Sequence, residues 1–226
     1  MPLRLTTVVG AILRAGIWLI LRVRSPRPIH AHGLVLTGTL RLRDGRAASG
    51  VRAIDDAAPR EMRVTARLSR SAGLPGRLPD IWGLALRIAP DGADLELSTT
   101  GIGVPGRFVL LPRRSPAGGV FSAILPARTP AGPVLFAALA DDPAHLPPDI
   151  PALAAALRHA PWRLRLCTAR PTGRWHPVAD LELGTADDQN DDALRFDAVE
   201  RPLRGTTAYA WAARLRQPSY RLARRS

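Results

Sequence analysis

Alternation of apolar and polar residues is the dominant pattern of this chain. Six segments alternate with a period of two, as half-buried β-strands do, and Gly, Pro or Asp residues separate them. Turn-separated strands of this kind predict an antiparallel sheet or a barrel. The six segments span residues 33–43, 61–69, 82–90, 93–99, 162–170 and 177–184.

Helices are predicted at two places outside these strands. Residues 151–159 open on a proline and are rich in alanine, and a second helical pattern begins near Thr207. Between the two groups of strands, residues 112–150 are dense in Pro and Gly. Because strands resume after this stretch, it is predicted to be a long excursion within one domain rather than a linker.

The N-terminal residues are apolar from Thr6 to Ile20 except for Arg14. This segment is too short and too interrupted for a confident membrane span, which needs about 20 predominantly apolar residues. No small-residue cleavage site follows it, as a signal peptide would require. Residues 1–24 are therefore predicted to form an amphipathic helix packed on the domain. The alternative is a membrane-surface anchor, with peripheral membrane contact through residues 6–21.

Composition and charge add little about partners. The 226 residues suit one sizeable domain, and 32 basic against 19 acidic residues give a net charge of +13. Every basic residue is arginine, within a bias toward Ala, Pro, Gly and Leu that GC-rich coding also produces. Aromatic residues do not alternate with arginines along any strand, so we expect no nucleic-acid partner. The absence of lysine excludes a phosphate loop that ends in Gly-Lys-Ser/Thr.

Cysteine and acidic residues provide no metal-site pattern. Cys167 is the only cysteine, which excludes an internal disulfide, and its alternating context predicts a buried structural thiol. The acidic run at 187–192 lacks the glycine and terminal glutamate of a calcium loop, so we interpret it as a solvated turn.

Two of the five histidines, His30 and His32, stand one residue apart in the segment PRPIHAHG. Four interpretations stay open on the residues alone. The segment is a loop, one face of a strand, a metal-binding pair without an evident third ligand, or part of a reaction pocket.

Four stretches, taken in order, carry a resemblance to a known family. The first is PRPIHAHG, the second is residues 66–97, the third is residues 177–202, and the fourth is the terminal RLRQPSYRLARRS. Together they resemble the haem catalases and their shortened, catalase-like bacterial relatives. The matching residues are Arg27, His30, Ala31, Gly33, Arg67, Ser69, Gly73, Asp80, Gly83, Ala85, Arg87, Asp94, Leu95, Phe196, Asp197, Arg216 and Tyr220.

The resemblance implies a fold of the α+β class. Residues 25–226 would form a catalase-type antiparallel β-barrel with C-terminal helices, preceded by the N-terminal helix at 1–24. The last helix would carry the tyrosine that ligates the iron. Alternatively, Tyr220 is an ordinary aromatic residue near the C-terminus.

The resemblance also implies a b-type haem and a set of site residues. Tyr220 is the implied metal ligand, and Arg27 and Arg67 match positions that hold haem propionates. His30 is the implied acid–base catalyst, and His32 occupies the position of a family lysine. The implied catalytic residues are His30 and Ser69, and the implied cofactor-binding residues are Arg27, Arg67, Arg216, Tyr220 and Arg224.

One departure from the family pattern bears on activity. The distal asparagine of the family should follow Asp94 and Leu95, but this chain has Ser98, Thr99 and Thr100 there. The expected activity is therefore peroxidase or organic-hydroperoxide chemistry, on peroxide or a small hydroperoxide, rather than efficient catalase activity. The resemblance allows for a homo-oligomer, and the expected location is the cytoplasm. The alternative is a barrel that kept the fold, lost haem and serves as a binding or interaction module.

Overall fold

The computed structural model describes residues 33–71, 78–141, 146–186 and 194–214. Within these ranges, eight antiparallel strands close into a barrel because β1 pairs with both β2 and β9, and β7 pairs with both β5 and β8. The barrel strands are β1 Gly33–Leu42, β2 Glu61–Arg70, β3 Trp82–Ile88, β4 Ala93–Thr100, β5 Val120–Ser122, β7 Gly132–Ala140, β8 Trp162–Ala169 and β9 His176–Thr185.

Short elements lie around the barrel. Strand β6 (Ala127–Thr129) pairs with β7, and strand β10 (Thr207–Ala208) pairs with β6. The helices are α1 (Arg52–Asp55) and α2 (Ile150–His159), and a 3₁₀ turn spans Gly106–Phe108. No helix in the described ranges is both long and apolar enough to cross a membrane.

The barrel interior is filled by every second side chain of its strands. Phe121 and Trp162 meet edge to face inside it, with ring centroids 5.6 Å apart. Helix α2 packs on β9 and β1 through Leu153 and Leu157, which are both buried. Other buried core residues include Leu36, Leu40, Ala66, Leu68, Leu84, Leu86, Leu95, Leu97, Leu164, Leu166, Leu181 and Leu183.

Most of the predicted elements are confirmed. All six predicted strands are present, with ends shifted by a few residues, and the helix predicted at 151–159 is α2. Asp149 caps this helix by accepting a hydrogen bond from the Ala152 N–H at 3.2 Å. Near Thr207 the structure differs from the prediction, because strand β10 comes first and helical backbone begins at residue 210.

The prediction of a long excursion over residues 112–150 is wrong. This stretch contains β5, β6 and β7, and β7 is a barrel strand with pairing partners on both sides. Residues 134–138 of β7 are buried on both faces of the sheet, so its sequence is a continuous apolar run without alternation. The alternation of apolar and polar residues is therefore absent from the part of β7 that is buried on both faces.

A buried carboxylate fastens the segment that follows β9 to the barrel. The Arg87 guanidinium donates two hydrogen bonds to Asp94, at 2.8 and 2.9 Å. The backbone N–H of Asp197 donates to the same carboxylate at 2.8 Å, and Arg201 approaches it at 3.3 Å. The Arg87 guanidinium also lies over the Phe196 ring, 4.9 Å from its centroid. We call these five residues the Asp94 clamp.

Candidate functional site

Four small residues lie side by side on the outer face of strands β1 to β4. Gly33 is in register with Ser69, Ser69 with Gly83, and Gly83 with Ser98. Neighbouring strands are about 4.8 Å apart, so these residues form a strip roughly 14 Å long. No side chain in this serine–glycine row is longer than a hydroxymethyl group; Gly33, Gly83 and Ser98 are half-buried, and Ser69 is buried.

Arg67 places a positive charge at one end of the serine–glycine row. It lies on the outer face of β2, two residues before Ser69, and is half-buried. A Cβ atom built on Gly33 would lie 2.6 Å from Cζ of Arg67, so the guanidinium lies against the Gly33 backbone and would have to shift for a larger residue. The fork of N–H donors of a guanidinium has the geometry that pairs with a carboxylate.

Two of the predicted site residues, Arg67 and Ser69, lie two residues apart on the outer face of β2, and their roles stay predictions. Ser69 is buried, with a glycine in register on each side of it. The other predicted site residues lie outside the described residues, and their roles stay predictions. They are Arg27, His30, His32, Arg216, Tyr220 and Arg224.

The structure also shows which residue occupies the place expected for the distal asparagine. Ser98 faces outward in the row, whereas Thr99 points into the barrel. The Thr99 hydroxyl accepts a hydrogen bond from the Trp82 N–H at 3.2 Å and donates one to the Leu111 carbonyl at 2.8 Å. Ser98 is therefore the residue of this stretch that can act at the row.

Beyond β4, the residues in register with Ser98 on the next strands are Ser122, Ala137 and Cys167. The protein covers this end of the row. The Ser122 hydroxyl donates a hydrogen bond to the Arg107 carbonyl at 3.3 Å, so the loop after β4 folds over this part of the barrel. Cys167 is buried, and burial raises the pKa of its thiol to about 11. The prediction of a buried structural thiol is confirmed.

Sequence analysis did not single out Arg107, which is only 4% exposed. Its guanidinium donates to the carbonyls of Gly173 and Arg170, at 2.9 and 3.3 Å, and lies 4.5 Å from the centroid of the Trp175 ring. It forms no ion pair with any described carboxylate, and burial lowers its pKa. Among 32 arginines, no local pattern distinguishes this one, because its partners are backbone carbonyls more than sixty residues away.

Metal ligands are not grouped in the part of the chain that the structure describes. No cluster of three or more His, Cys, Asp or Glu side chains there is arranged to hold a metal ion.

Comparison with solved structures identifies the fold. Catalase A from Saccharomyces cerevisiae aligns with a TM-score of 0.64 at 12% identity, over 92% of this chain and 62% of the yeast chain. A fungal catalase aligns with a TM-score of 0.56 at 14% identity, over 86% of this chain and 58% of the fungal chain.

This is the catalase fold. The predicted catalase-type antiparallel barrel is confirmed, and the chain spans about three fifths of the length of the catalases that it matches. Identities this low show the fold and leave the activity open. No protein-family profile matches the chain, and no curated protein sequence matches it.

Proposed function

We propose that this protein binds haem on the outer face of its catalase-type barrel and reacts there with peroxide or a small hydroperoxide. The observation that carries the proposal is the serine–glycine row with the Arg67 guanidinium lying over Gly33 at its end. A planar ligand that bears carboxylates needs small side chains beneath it and a cation at its edge, and the small residues of the row and Arg67 support this proposal.

Arg67 has the chemistry to pair with a haem propionate, as the resemblance predicts. Its fork of N–H donors matches a carboxylate, and its partly buried position strengthens the pairing. Tyr220 is proposed as the iron ligand. A phenol has an ordinary pKa near 10, so binding as phenolate requires positive charge nearby, and Arg216 is one helical turn away in sequence.

Bound haem would supply the iron at which an O–O bond is broken. His30 is proposed to accept the proton of the attacking oxygen and return it to the leaving oxygen, because an imidazole with a pKa near 6.5 does both at neutral pH. Ser69 is in register with Gly33, and Gly33 comes three residues after His30 in the sequence. We propose that its hydroxyl bonds the His30 ring and so fixes the tautomer and orientation of the imidazole.

Ser98 sets a limit on the proposed activity. It faces outward in the row, but its hydroxyl is shorter than the asparagine amide that the family pattern predicts. A peroxide at the row would therefore lack one positioning hydrogen bond. We propose slow peroxidase or organic-hydroperoxide chemistry rather than rapid disproportionation of hydrogen peroxide.

The test is the absorption spectrum of the protein expressed with added haem precursor. We expect a Soret band that Tyr220→Phe abolishes or shifts strongly. Tyr209→Phe is the matched control, because Tyr209 is the only other tyrosine and stacks on Trp211 with ring centroids 6.2 Å apart. A folded, colourless protein that does not respond to added haemin would contradict the proposal and favour the haem-free binding module.

A further inference from the structure

Exposed apolar side chains are concentrated in the loop after β4. Within the described ranges, six large apolar side chains are exposed, and four of them lie between residues 102 and 111. Their exposed fractions are 54% for Ile102, 52% for Val104, 45% for Val109 and 38% for Leu111. A cluster of exposed apolar side chains marks an interaction surface, whereas single ones are normal.

This loop is ordered by its own backbone hydrogen bonds. The Gly101 N–H donates to the Gly106 carbonyl at 3.0 Å, and the Arg107 N–H donates to the Gly103 carbonyl at 2.7 Å. The Leu111 N–H donates to the Thr99 carbonyl at 2.9 Å and ties the end of the loop to β4. The apolar side chains are therefore presented by a fixed backbone, and binding loses less conformational entropy than it would with a flexible loop.

The loop is joined to the turn between β8 and β9. Arg107 donates to carbonyls of this turn, and the Trp175 indole N–H donates to the Ile102 carbonyl at 2.8 Å. Trp175 is half-buried, and its amphipathic ring is bonded to the backbone of Ile102, whose side chain is the most exposed large apolar one in the described ranges. Residues 101–114 and 170–175 thus form one surface, which we call the apolar–basic surface.

The charge of the apolar–basic surface is entirely positive. Residues 101–114 and 170–175 contain five arginines and no Asp or Glu. Arg107 is buried, Arg113 is half-buried, and the other three are exposed. None of the five forms an ion pair with a carboxylate of the described residues, although arginines elsewhere on the barrel do, such as Arg41 with Glu61. The exposed members are Arg114, Arg170 and Arg174.

We propose that the apolar–basic surface docks on an anionic phospholipid bilayer, with the apolar side chains entering the interface and the arginines paired with lipid phosphates and carboxylates. A bilayer surface combines these two requirements over a broad area, because its acyl region accepts Ile and Val while its headgroups attract arginine. This inference is independent of haem binding and of the N-terminal segment.

The experiment is sedimentation of the full chain with vesicles of phosphatidylcholine, and with vesicles that also contain phosphatidylserine. We expect binding to the anionic vesicles that weakens with salt. The variant Ile102→Ser with Val104→Ser should lower the partition coefficient by roughly tenfold or more, because two apolar side chains no longer enter the interface. Arg114→Gln with Arg174→Gln should lower it by about fivefold for each arginine.

Matched controls carry the same changes at exposed positions elsewhere. Trp211→Ser removes an exposed apolar side chain, and Arg158→Gln with Arg204→Gln removes two exposed arginines; neither variant should change binding. Thermal unfolding checks that each variant is folded. Unchanged binding of both loop variants, or binding lost only when residues 6–21 are deleted, would overturn the proposal. A chain that ignores both vesicles and forms a dimer sensitive to Ile102→Ser would overturn it in favour of a second copy.

Discussion

The Asp94 clamp and the serine–glycine row occupy opposite ends of the same outer barrel face. Along β3, Arg87 of the clamp and Gly83 of the row are roughly 13 Å apart. At the clamp, long charged side chains meet a carboxylate that is fully buried. At the row, side chains are small, and one guanidinium lies over a glycine. One end of the face carries long charged side chains around a carboxylate, and the other end carries only glycine and serine side chains.

The residues that match the catalase pattern fall into two groups, one at the clamp and one at the row. Arg87, Asp94, Phe196 and Asp197 match the family pattern, and in this structure they fasten residues 194–203 to the barrel. Ser69 and Arg67 match the pattern on the outer face of β2, where Ser69 is buried and Arg67 is half-buried. The clamp residues therefore have a structural role in the barrel, whereas a ligand role for the row residues is our proposal.

The largest expected effect is the loss of the clamp carboxylate. Asp94→Ala leaves Arg87 and Arg201 without their buried partner, and removing one member of a buried ion pair costs about 3–5 kcal/mol of unfolding free energy. Asp180→Ala is the matched control, because its bond to Arg43 is about half exposed and contributes no more than about 1 kcal/mol. Urea unfolding measures both. Equal losses in the two variants would show that the clamp is an ordinary surface pair.

The next effect concerns proton transfer at the row. His30→Ala should leave haem bound and slow the reaction with peroxide by on the order of a hundredfold, the usual contribution of a positioned acid–base group. Ser98→Asn should raise the peroxide rate when His30 is present and leave it unchanged in His30→Ala. Stopped-flow kinetics at equal haem occupancy tests both. If His30→Ala reacted with peroxide as fast as the wild type, His30 would not be the acid–base group.

Sequence predicted the barrel well because strands with one face buried alternate in polarity. It missed β7 because Val134 to Ala138 are buried on both faces, which removes the period on which the prediction rests. It named Arg67 and Ser69 as site residues by resemblance; both lie on the outer face of β2, and their roles stay predictions. It missed Arg107 because the partners of this side chain are backbone carbonyls of a distant turn, which no residue pattern encodes.

A smaller effect is expected when the reactivity of a cysteine at position 98, in the row, is compared with that of Cys167, beyond its closed end. At pH 8 the native Cys167 thiol should react with iodoacetamide roughly a hundredfold more slowly than the unfolded chain, because its pKa is raised from 9.0 to about 11. Ser98→Cys in a Cys167→Ala background should react faster, since Ser98 is half-buried and lies outside the closed end. Mass spectrometry gives both rates, and faster labelling of Cys167 would contradict the assignment.

The same thiol gives a pH dependence of stability. Because its pKa is higher in the folded chain, the proton favours the folded state, and this contribution is complete below pH 9.0 and is lost as the pH rises toward about 11. Wild type should therefore lose stability relative to Cys167→Ala across this range. A constant difference between the two unfolding free energies from pH 8 to pH 11 would be inconsistent with the buried thiol.

The measurement that tests the account most directly is a haemin titration of two arginine variants, followed by absorbance, together with the melting temperature of each. Arg67→Gln should raise the Kd for haemin by about tenfold, because one propionate loses its cation. Arg87→Gln should lower the melting temperature and leave the haemin Kd of the folded protein unchanged. Haemin affinity that is insensitive to Arg67→Gln, or reduced as much by Arg87→Gln, would contradict the assignment of the row as the ligand site.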